Sequence, residues 1–279
     1  MNNASKIVLG TVQFGCQYGI NSAGRPNDEE VRGILQKAAE AGIEKLDTSS
    51  AYGDSESVLG ACIPADAKFR IISKYPKLDV PVREVFMRSL ERLKVQKLYG
   101  YLLHHFEVYR NDYAVWNEFL KLKQQGFVEK IGFSLYTIDE LELLLENEVP
   151  YDLLQVPYNI FDRQFEPYFP ILKERGVEIH VRSTFLQGLF FMNREVLPDK
   201  LQQLKPYLLH LDAYAQSMTM SVAEVALNHN LQNLAIDGVL IGVDNQSQLM
   251  TNLKSIRNER VELDINIKEK QLLNPVNWK

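Results

Sequence analysis

Residues 43–47, IEKLD, form a short β-type run that closes on an acid, and two later runs close on bases: FRIISK, 69–74, on Lys74 and YGYLLH, 99–104, on His104. Tyr52 lies five residues beyond Asp47. Working outward, further apolar or β-branched runs are found at Lys6–Leu9, Lys130–Ser134, Leu153–Pro157, Glu178–Ser183 and Gly238–Gly242, which with Ile43–Asp47, Phe69–Lys74 and Tyr99–His104 makes eight. Several are nearly continuous in apolar character, as strands buried on both faces are.

Helical patterns separate most of these runs. Asp28 is placed to cap a helix with an apolar stripe of Val31, Ile34, Leu35, Ala38 and Ala39, stopped at Gly42. Thr137 with Glu140, and Ser221 with Glu224, read as capping boxes. Alternation of strand and helix allows an open doubly wound sheet or a closed parallel barrel. The count of eight, and a length of 279 residues, favour one α/β domain over residues 1–279, a (β/α)8 TIM barrel. No Gly-x-Gly-x-x-Gly turn follows the first run, which speaks against a dinucleotide-binding open sheet. Gly10 and Gly15 have P-loop spacing, but Cys16 and Gln17 replace the required Lys and Ser/Thr. The stretch 185–205 has no clear period and reads as an active-site flap or a helix entry.

The chain is 46% hydrophobic and 24% charged, ordinary for a soluble domain with a sizeable core. Its net charge of −5, with signs interspersed, offers no basic stripe for nucleic acid. Cys16 and Cys62 are too few for a disulfide framework or a Cys-based zinc site. The opening MNNASKIVLG resembles neither a secretion signal nor a membrane anchor, so a cytoplasmic protein without membrane association is expected. No heptad or long exposed apolar stripe points to a partner chain, and a monomer is the default.

In a parallel barrel, groups at the C-terminal strand ends gather at one rim. Asp47, Lys74 and His104 fall there, with Tyr52 close behind Asp47. A phenol, an ammonium, a carboxylate and an imidazole in one cleft can protonate a carbonyl oxygen. Free tyrosine titrates near ~10, so donation is expected to be helped by Lys74 lowering the phenol, by about three units for roughly 4 kcal/mol. Asp47 would hold the Lys74 ammonium, and His104 would orient the substrate oxygen. His104 and His105 invite a metal, but neighbouring strand residues should face opposite ways, and no metal is expected. A barrel hydrolase using Asp47 or Glu56 would leave Lys74 and His104 without roles.

The chain resembles the aldo-keto reductase family in LGTVQFG (9–15), LDTSSAYGDSESVLG (46–60), IISK (71–74), YLLHH (101–105), KIGFS (130–134), LLQVPYN (153–159), VRSTFLQG (181–188) and LIGVDNQSQLMTN (240–252). The resemblance implies reduction of a small-molecule carbonyl with NADP(H), NAD(H) remaining open, and Tyr52 as proton donor. It also implies that Ser134 and Gln155 hold the nicotinamide carboxamide. Gly10, Thr11, Ser183, Phe185, Leu186, Gln187 and Gly188 would lie along the cofactor, and Ile241, Gly242, Val243, Gln248 and Asn252 would meet the adenosine and phosphates. A helix beginning near Asn245 would suit a phosphate. The sequence departs from the family pattern at three places. Leu135 replaces an asparagine, Gln248 an arginine that meets the 2′-phosphate, and Arg182 a tyrosine that stacks on the nicotinamide. Arg182 either lies against the ring, favouring its reduced form, or pairs with a carboxylate. Tyr18, Phe106 and the 185–205 stretch are the substrate-pocket candidates, and a short C-terminal tail predicts an open pocket suited to polar substrates such as sugars. The competing reading is a nucleotide-binding regulatory or sensing barrel with little turnover.

Overall fold

Eight strands, β1 (Ile7–Gly10), β2 (Lys45–Asp47), β3 (Arg70–Tyr75), β4 (Leu98–Leu103), β5 (Val128–Ser134), β6 (Leu153–Pro157), β7 (Glu178–Arg182) and β8 (Gly238–Gly242), close in sequence order into a parallel barrel in the computed structural model. The structure describes residues 3–19, 24–77, 79–265, 267 and 269–278. β1 closes the ring by pairing with β8, Gly10 opposite Gly242. Every run expected to be a strand is one, with ends shifted by a residue or two. His104 lies one residue past β4, yet its amide still donates to Tyr75 O at 2.9 Å, so the ladder geometry carries it to the rim.

Alternation along the strands divides two cores. On β3, Lys74 points into the barrel and bonds across to β2, whereas Ser73 points out and donates to Glu56 on the helix Ser55–Cys62. Ile72, Leu102 and Leu153 form a small inner cluster. Ile71, Leu59, Val85, Phe86, Leu90 and Tyr101 belong to the larger layer between barrel and helices. Each such side chain, fully buried, contributes about 1.5–3 kcal/mol.

The first long helix, Asp28–Glu40, is capped one residue earlier than expected: Asn27 Oδ1 accepts from Glu30 N at 2.9 Å. Asp28 becomes the first helical residue, where its charge suits the positive helix end. Gly42, at φ +80, turns the chain out of this helix. Both capping boxes form, at Thr137 with Glu140 and at Ser221 with Glu224. The 185–205 stretch takes the second of its two readings. Two 3-10 turns, Leu186–Phe191 and Asp199–Leu204, lead into the helix Lys205–Ser217, and Leu189, Phe190, Leu197, Leu201 and Leu204 form a buried cluster with Ile160 and Leu208.

The N-terminal end of the barrel is closed by Glu178. Its carboxylate accepts from the Tyr99 hydroxyl, from Lys130 Nζ at 2.6 Å and from His180 Nε2 at 2.6 Å, with Lys45 Nζ at 3.4 Å. Burial pulls this carboxyl up, but the bonds from His180, Lys130 and Tyr99 outweigh it and hold the group well below the usual carboxylate range. Among the described residues no helix is long and apolar enough to cross a membrane.

Candidate active site

At the opposite rim, β2 ends on Asp47, and both of its oxygens are engaged. Lys74 Nζ donates to Oδ1 at 2.5 Å, and Gln155 Nε2 donates to Oδ2 at 2.8 Å from across the barrel. Lys74 also donates to Thr48 O at 2.9 Å and is fully buried. Burial lowers the pKa of this ammonium, and the adjacent Asp47 works in the other direction.

Tyr52 is presented by a turn whose placement depends on two glycines. A Cβ on Gly15 would stand 1.8 Å from Tyr52 O, and one on Gly53, at φ +54, would stand 2.5 Å from Gly15 O. Only bare backbone on both sides lets the loop after β1 meet this turn. The Tyr52 ring lies edge-on to His104, centroids 5.6 Å apart, and Lys74 Nζ sits 5.1 Å from its centroid. Tyr52 is half-buried, and among the described residues its hydroxyl has no hydrogen-bond partner.

The expectation that Lys74 lowers this phenol is corrected. Burial, and then the Asp47 charge, raise the Tyr52 pKa well above its ordinary value. The reason is visible in the contacts: the ammonium is committed to Asp47 and Thr48 O, so its field at the phenol is largely cancelled. Tyr52 therefore stays protonated across the physiological range.

His104 is buried and its Nδ1 lies 3.2 Å from Ser49 Oγ. Its pKa is pushed down to about 2 by burial first, then by Lys74, His105 and Arg182, so the ring is neutral. The expectation that His104 and His105 face opposite ways is also corrected. Their rings lie 4.8 Å apart and only 30° from parallel, because β4 ends at Leu103 and pleating no longer governs them. Among the described residues no group of three or more His, Cys, Asp or Glu is arranged to hold a metal. Glu56, the hydrolase alternative, is turned away from the cleft: it accepts from Ser73 at 2.6 Å in the layer outside the barrel.

Around this cluster, Ser134 and Gln155 are register partners on β5 and β6, both buried. Gly10 and Gly242 face each other at the rim. The turn after β7 carries left-handed backbone at Ser183 (φ 67), Leu186 (φ 46), Gln187 (φ 52) and Gly188 (φ 92), an accumulation of strain of the kind found at ligand-gripping loops. Gln187 Nε2 donates to Tyr18 Oη at 3.0 Å, which places Tyr18 at the mouth. Phe185 is partly buried between the two apolar clusters.

Several expected positions lie elsewhere. Phe106 is no pocket residue: as the first residue of the helix Phe106–Asn111 it turns away from the rim and packs against Phe133 and Tyr109 in the outer core. Leu186, Ile241 and Val243 also direct their side chains into apolar cores, leaving only their backbone for a ligand. Thr11 is fully buried, its hydroxyl donating to Asp47 O at 3.0 Å, so it braces β2.

Arg182 has no carboxylate partner among the described residues. Its Nη2 donates to Leu135 O at 2.9 Å, its guanidinium lies 4.0 Å over the Tyr136 ring, and its Nε is enclosed without a partner. The second of its two readings, pairing with a carboxylate, is thereby set aside.

The helix Gln246–Lys254 begins after Asn245, as expected, but two of its first three amides are taken. Asn245 Oδ1 accepts from Gln248 N at 2.8 Å, and Glu30 accepts from Gln246 N at 2.6 Å and from its Nε2 at 3.1 Å. Gln248 turns back to accept from Asp244 N at 2.8 Å, and Asn252 follows one turn later on the same face. A phosphate there would meet the Glu30 carboxylate. Sequence reading missed Glu30, Ser49 and Tyr136, none of which carries a local pattern of its own.

The model described as "Aldo/keto reductase family" matches residues 6–269. The uncharacterized oxidoreductase YqkF of Bacillus subtilis is 24% identical, over 92% of this chain and 90% of that protein. L-galactose dehydrogenase of Arabidopsis thaliana is 25% identical, over 89% of this chain and 84% of that protein. The solved holo form of the aldo-keto reductase AKR11C1 from Bacillus halodurans superposes with a TM-score of 0.72 at 21% identity, covering 96% of this chain and 90% of that one, a likeness in fold alone. The family match runs across nearly the whole barrel, rim and closing end alike, and on that ground this chain is an oxidoreductase belonging to the aldo-keto reductase family.

Proposed function

We propose that this protein reduces an aldehyde or ketone to an alcohol with an NAD(P)H hydride, Tyr52 giving the proton and His104 holding the carbonyl oxygen. The observation that carries the reading is an unbonded phenol beside a buried Asp47–Lys74 pair. A reduced nicotinamide supplies the hydride. An oxygen reached by both Tyr52 Oη and His104 Nε2 gains the electron pair of the C=O π bond and takes the phenolic proton. An alkoxide is far more basic than a phenolate, so the transfer runs downhill even with the raised Tyr52 pKa. The Arg182 guanidinium, the one neighbour that eases ionisation of this phenol, favours the phenolate that remains, and the half-buried ring regains its proton from solvent. Asp47 keeps the ammonium charged and aimed.

The residues fit a nicotinamide at this rim. The Ser134 hydroxyl and the Gln155 amide stand side by side for a carboxamide, and Asp47 fixes the orientation of Gln155 by accepting from its Nε2. The strained turn 183–188 offers its backbone to the linking phosphates, whereas the Gln13 amide lies over Gly242. At the far end, Glu30 at the start of the helix Gln246–Lys254 favours a ribose diol over a 2′-phosphate, so NADH is taken at least as well as NADPH. Tyr18 and Gln187 frame an open mouth that suits polar carbonyl substrates, sugars included.

The test is nucleotide titration followed by turnover of a nitrobenzaldehyde and a panel of keto sugars. Tyr52→Phe should retain nucleotide binding and lose reduction; retained reduction in that variant defeats the reading. NADPH binding more than tenfold tighter than NADH would refute the role given to Glu30.

A further inference from the structure

The segment after Asp47 runs Thr48, Ser49, Ser50, and each residue has a separate partner. Thr48 O receives Lys74 Nζ, and Ser50 Oγ donates to Lys74 O at 3.1 Å. Ser49 is fully buried. Its Oγ accepts from Ala51 N at 3.2 Å and lies 3.2 Å from His104 Nδ1. A serine hydroxyl has one proton to give, and a buried hydroxyl that gives it to nothing loses a hydrogen bond. Among the described residues, His104 Nδ1 is the one acceptor within reach of it. A neutral imidazole carries its proton on one nitrogen only, so an accepting Nδ1 fixes the proton on Nε2.

We infer that Ser49 is a positioning residue that donates to His104 Nδ1 and holds the imidazole as the Nε2–H tautomer, turning His104 into a hydrogen-bond donor at the cleft. The other tautomer would present a lone pair at Nε2 and repel a carbonyl oxygen instead of holding it. The turn that places Ser49 is itself tied down, since the Ala51 amide and the Ser50 hydroxyl both anchor it. His104 is clamped on its other side by the edge-on Tyr52 ring. Ser49 thus sets the polarity of the site without touching substrate. Its effect on turnover rests on the reductase reading above, but the tautomer itself does not.

Long-range proton–nitrogen correlation spectra of the ¹⁵N-labelled full chain read the tautomer directly, with His104 assigned by its loss in His104→Gln. Wild type is expected to show Nε2–H alone. Ser49→Ala should show a mixture with Nδ1–H and a kcat/KM for carbonyl reduction lowered about tenfold, the worth of one neutral hydrogen bond. Its affinity for NADH should be unchanged. Ser49→Thr, which keeps the hydroxyl, should restore both the tautomer and the rate. An Nδ1–H wild type, or an unchanged Nε2–H spectrum in Ser49→Ala, overturns the inference, and the wild-type spectrum decides even if a variant misfolds. A tautomer that shifts in Ser49→Ala while wild type turns over no carbonyl supports Ser49 and defeats the reductase reading alone.

Discussion

The barrel buries a carboxylate at each end, and the two are wired differently. Glu178 at the N-terminal end is saturated: Tyr99, Lys130 and His180 donate to it, with Lys45 alongside. Asp47 at the C-terminal end is equally well bonded, by Lys74 and Gln155, yet the groups around it keep unspent donors. The Tyr52 hydroxyl has no partner among the described residues, and Arg182 Nε is enclosed without one. A saturated network gains most by staying closed and so serves stability. Donors left unpaired beside a committed ion pair have a proton to offer a ligand, whereas the atom left without a partner at the closed end, His180 Nδ1, offers only a lone pair while Nε2 donates to Glu178.

Two matched substitutions separate the ends, and the larger effect belongs to the rim. Tyr52→Phe removes a hydroxyl that bonds to nothing described, so stability should hold while carbonyl turnover falls by ~10³, within the range for loss of a positioned acid. Thermal unfolding and steady-state kinetics on the same preparation check both halves. Equal losses of stability and turnover would mean that the phenol is a structural group. Tyr99→Phe is the mirror case. It removes a donor to a buried carboxylate, so stability should drop by about 1.5–3 kcal/mol with kcat per folded molecule unchanged. A denaturant midpoint equal to that of wild type would show that Glu178 is satisfied without Tyr99.

Acid should unlock the ends in order. His104 titrates at about 2 in the folded chain and near 6.5 when free, so between these values the unfolded state binds the extra proton. Its contribution is complete above pH ~6.5 and is lost, by ~1.4 kcal/mol for each unit, as pH falls below that. His229, pushed down to about 4 by burial first and then by Arg163, adds to the loss over the upper part of this window. Glu178 is held below the ordinary carboxylate value of 4.5, so its stabilisation is present above that pH and fails only below it. Denaturant unfolding at successive pH values should therefore weaken first through the two buried histidines, His104 at the rim and His229 on the helix Val222–Gln232, and only then through Glu178. In His104→Gln the slope between pH 6.5 and 5 should be shallower than in wild type, and an identical slope would show that His104 is free to charge without unfolding.

How far the sequence carried these distinctions follows from the range of the interactions. Asp47, Lys74 and His104 could be placed at one rim because each closes an apolar run, and strand ends in a parallel barrel share a side. Both capping boxes were legible because each spans only four residues. The Glu178 cluster was not, since Lys45, Tyr99 and Lys130 come from three other strands, far from Glu178 and His180 in sequence, and meet them only when the ring closes. Glu30 is separated from Gln246 by 216 residues. Phe106 misled for the opposite reason. It follows His104 and His105 directly, but a helix begins there and rotates its ring into the core. The sign of the Tyr52 shift needed the observation that Lys74 is already engaged, which no spacing reveals.

The smallest expected effect lies in the turn after β7, where strain is stored instead of charge. Gln187 sits at φ 52 and ψ 26, next to Gly188 at φ 92. A side chain in the left-handed region costs roughly 1 kcal/mol that glycine avoids, while glycine loses more freedom on folding. The two terms oppose each other, and Gln187→Gly also removes the bond to Tyr18 Oη at the exposed mouth, which is worth little in water. The net gain in stability should be small, on the order of 0.5 kcal/mol. The same change frees the loop that frames the mouth, so nucleotide affinity should fall as stability rises. Opposite movement of the unfolding midpoint and the NADH dissociation constant would show that the strain shapes a ligand-gripping turn. Should both weaken together, the left-handed Gln187 is held by packing in the 185–205 segment, and the rim resembles the closed end of the barrel more than its loose donors indicate.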